Sequence, residues 1–341
     1  MANTFGIDLG TLNLKVFDKH GGQIHKIKNT VSIVKKNQLY AYGDAAYDMY
    51  EKAPENISVS FPIVEGVIAE YNNLQTMMNE YLSSISKGHL KGSEYVIAVP
   101  TDITEVEKRA FYDLFFKTKS RPKSVLLCDK PIADAVGLGV DVREPNGIMI
   151  VDIGSNTTEI SVLSLGGIVI SELLHFGGNR LDESIVNNLR RNNNLVIGQK
   201  TAMNLKEKIG NALPPAEENM ETHKVVGINI VTGLPIELEI SSQTVYDATK
   251  DLLESICNSI KRILEKTPPE VARDVLNSGI YITGGGSKYK NLDQLFKLIT
   301  GIKVNTCDDP DESCVRGLSK IVTDPDYKGL AYNLDSDKKF S

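Results

Sequence analysis

Two short stretches carry residue types that hold phosphates and a metal ion. Ile148-Met-Ile-Val-Asp152-Ile-Gly154-Ser155-Asn156-Thr157-Thr158-Glu159 reads as an apolar strand ending in a carboxylate, a tight turn, and a second strand restored at Ile160 and Val162. An ionised Asp only accepts hydrogen bonds and can hold a hydrated Mg2+, while the backbone N–H groups of a Gly-containing turn face phosphate oxygens. Phe5-Gly-Ile-Asp8-Leu-Gly10-Thr11-Leu12-Asn13-Leu-Lys15-Val-Phe17 repeats the same order. One such hairpin is a weak signal; two predict two similar lobes. A third element, Ile280-Tyr-Ile282-Thr283, runs into Gly284-Gly285-Gly286, where missing side chains allow a backbone to approach a flat ligand such as adenine or its ribose.

The chain has ample length to position these pieces. At 341 residues, 41% hydrophobic and 24% charged, it fits two domains with substantial cores. A net charge of −6 without a basic lobe argues against nucleic acid as partner. Four cysteines without paired spacing indicate neither a zinc site nor a disulfide framework and suit a reducing cytosol. The strand at Phe5 leaves no room for a signal peptide, and no apolar run is long enough to span a membrane. Helices are expected at 45–52, 72–84, 104–117, 131–138, 181–191, 201–212, 242–266 and 290–299. The 104–117 helix starts with a capping box, Thr104 with Glu107. Its Phe111, Tyr112, Leu114, Phe115 and Phe116, followed by Lys117, Lys119, Arg121 and Lys123, read as a core helix with a solvated charged end. Contact with a membrane surface or a partner is the alternative.

The two Asp-Gly hairpins and the triple glycine resemble the nucleotide site shared by actin, the seventy-kilodalton heat-shock chaperones and sugar kinases. Within that superfamily the chain resembles the bacterial actin MreB family over nearly its whole length. The stretches that carry this are Gly6 to Thr11, Pro62 to Ile68, Ala98 to Pro100, Glu107 to Ala110, Val151 to Glu159, Phe176 to Glu183, Pro268 to Ala272 and Thr283 to Gly286. The resemblance implies an α/β, actin-like ATPase fold: two duplicated lobes, each a mixed sheet flanked by helices, with a nucleotide cleft between them. Lobe I would be 1–145 with a smaller subdomain at about 31–62, and lobe II 146–341 with one at about 181–243. It further implies ATP, with ADP after hydrolysis, bound with Mg2+ at Asp8 and Asp152. Gly10, Thr11, Leu12 and Asn13 would wrap the phosphates from lobe I, and Gly154, Ser155, Asn156 and Thr157 from lobe II. Met203, Asn204, Lys206 and Glu207 would border the ribose, and Gly284, Gly285, Gly286 and Ser287 the adenine. The implied protein is a cytoplasmic, filament-forming actin for cell-shape maintenance, its copies joined head to tail, with MreB paralogues and cell-shape proteins as further partners.

Departures from the family pattern qualify this. In Asp129-Lys130-Pro131, Lys130 stands where the family places the acidic residue that positions the attacking water. An amine with a reference pKa of about 10.4 cannot accept that proton near neutral pH, and losing a positioned base costs about 10²–10⁴-fold in rate. Asp129 is the weaker substitute, because adjacent strand residues point to opposite faces. Ser155-Asn156 replaces a Gly pair, a change Asn can absorb through its tolerance of positive φ. Met203-Asn204 replaces a Glu pair, leaving Glu207 for the ribose hydroxyls. Lys15, apolar in the family, stands within reach of the nucleotide. The alternative to an active ATPase is a non-hydrolysing paralogue that co-assembles with an active one; a plasmid-segregation actin is less favoured. For a membrane, the 86–93 loop offers chiefly Leu90.

Overall fold

A computed structural model of the protein describes residues 3–35, 38–88, 90–117 and 121–334. In chain order the first elements are β1 (Thr4–Leu9), β2 (Asn13–Asp18), β3 (Gln23–Lys28), β4 (Val31–Val34), β5 (Gln38–Tyr42), α1 (Asp44–Met49), β6 (Ile57–Ser60), β7 (Ile63–Val64), β8 (Val67–Ile68) and α2 (Tyr71–Ile85). There follow β9 (Glu94–Val99), α3 (Glu105–Phe116), β10 (Ser124–Asp129), α4 (Lys130–Gly137), β11 (Ile148–Ile153), β12 (Thr158–Ser164), β13 (Gly167–Leu174), α5 (Gly178–Asn192), β14 (Leu195–Val196) and α6 (Gln199–Ile209). The rest are β15 (Thr222–Asn229), β16 (Pro235–Ser241), α7 (Ser242–Lys266), α8 (Pro269–Ser278), β17 (Ile280–Thr283), α9 (Leu292–Thr300), β18 (Val304–Asn305) and α10 (Ser313–Thr323). Two compact units result. One takes the chain up to Asn146, Leu163–Leu173 and everything from Asp311 on; the other takes Gly147–Val162 and Leu174–Pro310.

The first unit is built on a mixed sheet of order β10-β9-β1-β2-β3, in which β1 runs antiparallel to β2 and parallel to β9. Its strands are buried on both faces, as strands covered by helices must be. Phe5, Ile7, Leu14, Val16 and Ile97 are fully enclosed, and Phe5 stacks on Tyr95 at 5.7 Å. The capping box at Thr104 forms: its hydroxyl accepts from the Glu107 N–H, and the Glu107 carboxylate accepts from the Thr104 N–H. Phe111, Tyr112, Leu114 and Phe115 are core residues, leaving only Phe116 exposed. Lys117 pairs with Asp113 and Lys123 with Glu94; Lys119 lies outside the described residues. Leu90 packs against this same core.

Helix α10 was not among the expected elements, and it carries Gly317 in its middle. That glycine is what lets α10 cross α4 at backbone distance. A Cβ at Gly317 would sit 1.7 Å from the Ala133 carbonyl, and one at Gly137 would sit 1.8 Å from that of Ser313. Lys320 then donates to the Val136 carbonyl, and Leu318 lies against Gly6 of β1. Helix α8 was missed too, although Pro269 opens it and Gly279, at φ +88°, closes it.

A second five-stranded sheet has the order β13-β12-β11-β17-β18. Replacing each strand by its counterpart turns this into β3-β2-β1-β9-β10, so the duplication read from two hairpins extends to whole sheets. As β1 is parallel to β9, so β11 is parallel to β17, with Asp152 beside Thr283. A smaller sheet, β14-β15-β16, covers α5, α6 and α7 through a core that includes Ile185, Leu189, Leu205, Val225 and Ile240.

Candidate functional site

In the first unit, Asp8 ends β1 on a row that crosses the sheet in register: Cys128, Ala98, Asp8, Lys15 and Lys26. Residues in one row share a face, so Lys15 reaches Asp8 directly. Its Nζ donates to Asp8 Oδ2 at 2.8 Å, with both side chains buried. Burial alone would raise the Asp8 pKa, but the ammonium groups of Lys15 and Lys130 outweigh it and hold the carboxyl below its usual range. The same pairing outweighs burial for Lys15 and raises its pKa. Lys130 is the first residue of α4 and adds its charge at Asp8. Asp129 is paired with Val99 in the next row and so faces the other way. It accepts from the Tyr332 hydroxyl at 3.1 Å, and burial raises its pKa. It is therefore no stand-in for an acid beside Asp8.

The turn after Asp8 needs Gly10 for space rather than for φ, since a Cβ there would lie 2.7 Å from the Asn13 carbonyl. Asn29 staples the turn from β3's far end: its side-chain amide donates to the Gly10 carbonyl at 2.8 Å, and its backbone N–H donates to the Leu12 carbonyl. Nothing in the local sequence around Asn29 signals this role.

The second unit builds its turn the same way. The Gly154 N–H donates to the Thr157 carbonyl at 2.8 Å, closing the loop. Neither Ser155 nor Asn156 is at positive φ, so the replacement of a Gly pair is absorbed without the left-handed backbone the sequence led us to expect. The start of α5 instead braces the turn. Gly178 and Asn179 donate backbone N–H groups to the Gly154 and Ser155 carbonyls at 2.9 and 2.7 Å, and the Asn179 side chain donates to Asn156 Oδ1. Gly177 has to be glycine, because a Cβ would meet the Gly154 carbonyl at 2.4 Å. Asn179 is the functional neighbour that sequence reasoning did not single out. Among the described residues, the hydroxyls of Thr11 and Thr157 make no hydrogen bond to protein, which leaves both for a ligand.

Gly284, at φ +80°, sits against this turn's strand. A Cβ on it would fall 2.1 Å from Asp152 Oδ1 and 2.5 Å from the Ile153 carbonyl, and Gly286 packs on Ile153 as well. These two glycines thus let their backbone approach the neighbouring strand closely. Gly285 and Ser287 lie in the 3-10 turn that follows, and the Ser287 hydroxyl donates to the Gly284 carbonyl. On α6, Asn204 and Glu207 are exposed on one face, three residues apart, with Met203 half-buried beside them. Lys206 points elsewhere: it pairs with the buried Asp182 at 2.8 Å and donates to the Gly178 carbonyl at 2.9 Å.

The residues at Asp8 do not fit Mg2+. Its carboxylate already holds an ammonium, a second ammonium bears on it, and no cluster of three or more His, Cys, Asp and Glu among the described residues is arranged to hold a metal.

Comparison with known proteins places this architecture. The fold is actin-like: the chain superposes on MreB5 of Spiroplasma citri, crystallised with AMPPNP and with ADP, at a TM-score of 0.90 and 30% identity, covering 97% of this chain and 98% of that one. It superposes on the chain of the MamK double helical filament at 0.79 and 23% identity, covering 94% and 98%. The chain belongs to the MreB/Mbl protein family, whose description matches residues 2–328. It is also 34% identical over 335 residues to the cell shape-determining protein MreB of Escherichia coli strain K12, covering 96% of this chain and 95% of the relative.

Proposed function

We propose that this chain is a cell-shape actin that binds ATP at the two turns, assembles into filaments, and hydrolyses its nucleotide slowly or not at all. The observation that carries the reading is the twice-built turn, each after the Asp of the same strand in the same sheet order, each with an uncommitted threonine hydroxyl. Relatives are named as cell shape-determining, MreB5 is crystallised with AMPPNP and ADP, and MamK forms a double helical filament. In this reading 10–13 and 154–157 take the phosphates, Asn204 and Glu207 border the ribose, and 284–287 border the adenine. Copies join head to tail, an interface that does not close on itself. No helix among the described residues is long and apolar enough to cross a membrane, and we place the filament in the cytoplasm. The test is sedimentation and electron microscopy with ATP; a protein that stays monomeric at every nucleotide and salt condition would sink the proposal.

Lys130 favours the companion reading, a non-hydrolysing paralogue that co-assembles with an active MreB. Phosphate release from wild type should be near background, with Lys130→Glu raising it by about 10²-fold if the rest of the machinery is intact. Wild-type turnover equal to that of an ordinary bacterial actin would remove this reading.

A further inference from the structure

We propose that Lys15 acts as a built-in counter-cation at Asp8, so that this protein binds nucleoside triphosphate without needing a divalent metal ion. The inference rests on the nucleotide reading above and concerns what balances the phosphate charge.

The geometry is that of a completed ion pair. Lys15 and Asp8 are cross-strand neighbours on β2 and β1, and the ammonium lies 2.8 Å from the carboxylate with side-chain exposures of 9% and 5%. At that depth solvent screens little. A hydrated Mg2+ is held through carboxylate oxygens and water, and here it would have to share Asp8 with a cation already in contact. The groups facing the pair are Lys130 at the start of α4, Asp311 before α10, and the buried Cys314 thiol, whose pKa burial pushes well up so that it stays neutral. Asp311 is itself bound by Lys26 at 2.5 Å. Two ammonium groups bearing on the one Asp8 carboxylate oppose a free divalent ion there.

Calorimetry of the full chain with ATP, once with Mg2+ and once with EDTA, tests this. Wild type should bind in both, with dissociation constants within about threefold of each other. Lys15→Met, its fold checked by circular dichroism, should lose about tenfold or more in EDTA, the worth of one charge-assisted contact, and recover with Mg2+. Wild-type binding that needs Mg2+ would overturn the inference and leave the nucleotide reading standing. Metal-independent binding that survives Lys15→Met would overturn the assignment to Lys15. No binding in either buffer would defeat the nucleotide reading instead. If Lys15→Met does not fold, the two wild-type titrations still decide.

Discussion

The carboxyl of Asp182, buried on α5, is pushed up to about 6 by burial, which outweighs the nearby Lys206 ammonium. A folded-state pKa above the ordinary 3.8 means that the folded protein holds this proton more tightly than the unfolded chain. The stabilisation is complete below the unfolded value and is lost as pH rises through about 6. Urea melts of wild type against Asp182→Asn between pH 4 and 7 should therefore show wild type losing up to about 3 kcal/mol relative to the variant. Parallel curves would contradict the argument. Asp182 also shows which single residues can be read in advance. The strand ends at Asp8 and Asp152 and the turns at Gly10 and Gly154 were legible because such positions are local, fixed by a strand and the turn beside it. Asn29, Asn179 and the true partner of Lys206 were not, since each acts on a backbone or side chain distant in sequence, and no periodicity records such a pairing. The lysine at 15 was visible, but its contact with Asp8 needed the cross-strand register.

Between elements, the crossing of α4 and α10 is the tightest contact described. Gly137→Ala or Gly317→Ala puts a methyl into a carbonyl that belongs to a helix backbone and cannot move as a side chain would. Each should cost about 3 kcal/mol, the upper end for overpacking, while Gly329→Ala, with nothing within 4 Å, should stay within about 0.5 kcal/mol of wild type. Thermal melts of the three variants check this; equal losses would mean that α10 adjusts. The elements expected from pattern that match closely are α2, α3, α7 and β17, each with a clear apolar period, and α3 and α7 also carry caps: Ser241 caps α7 by accepting from the Thr244 N–H. Helix α10 was not expected; its glycine, which would weaken a lone helix, strengthens a packed pair, a tertiary gain that local propensity does not contain.

At the scale of the molecule, one sheet order appears twice, and it was legible only as far as the repeated hairpins. What the repeat did not disclose is where the chain goes at its distal end: α10 closes over β1 and α4, the elements at the opposite end of the sequence. A fragment ending at Asn146 should consequently aggregate or remain unfolded by circular dichroism, and joining residues 311–334 to it through a flexible linker should recover a cooperative melt; a fragment that melts cooperatively alone would refute this. The same closure sets a schedule during translation. The ribosome must add everything from Gly147 to Pro310 before the nascent first unit receives its lid, a delay of roughly 10–30 s at about 5–20 residues per second. Throughout that interval the apolar floor beneath Leu318 stands open, so newly made copies crowded on one messenger are more prone to stick to each other than finished ones.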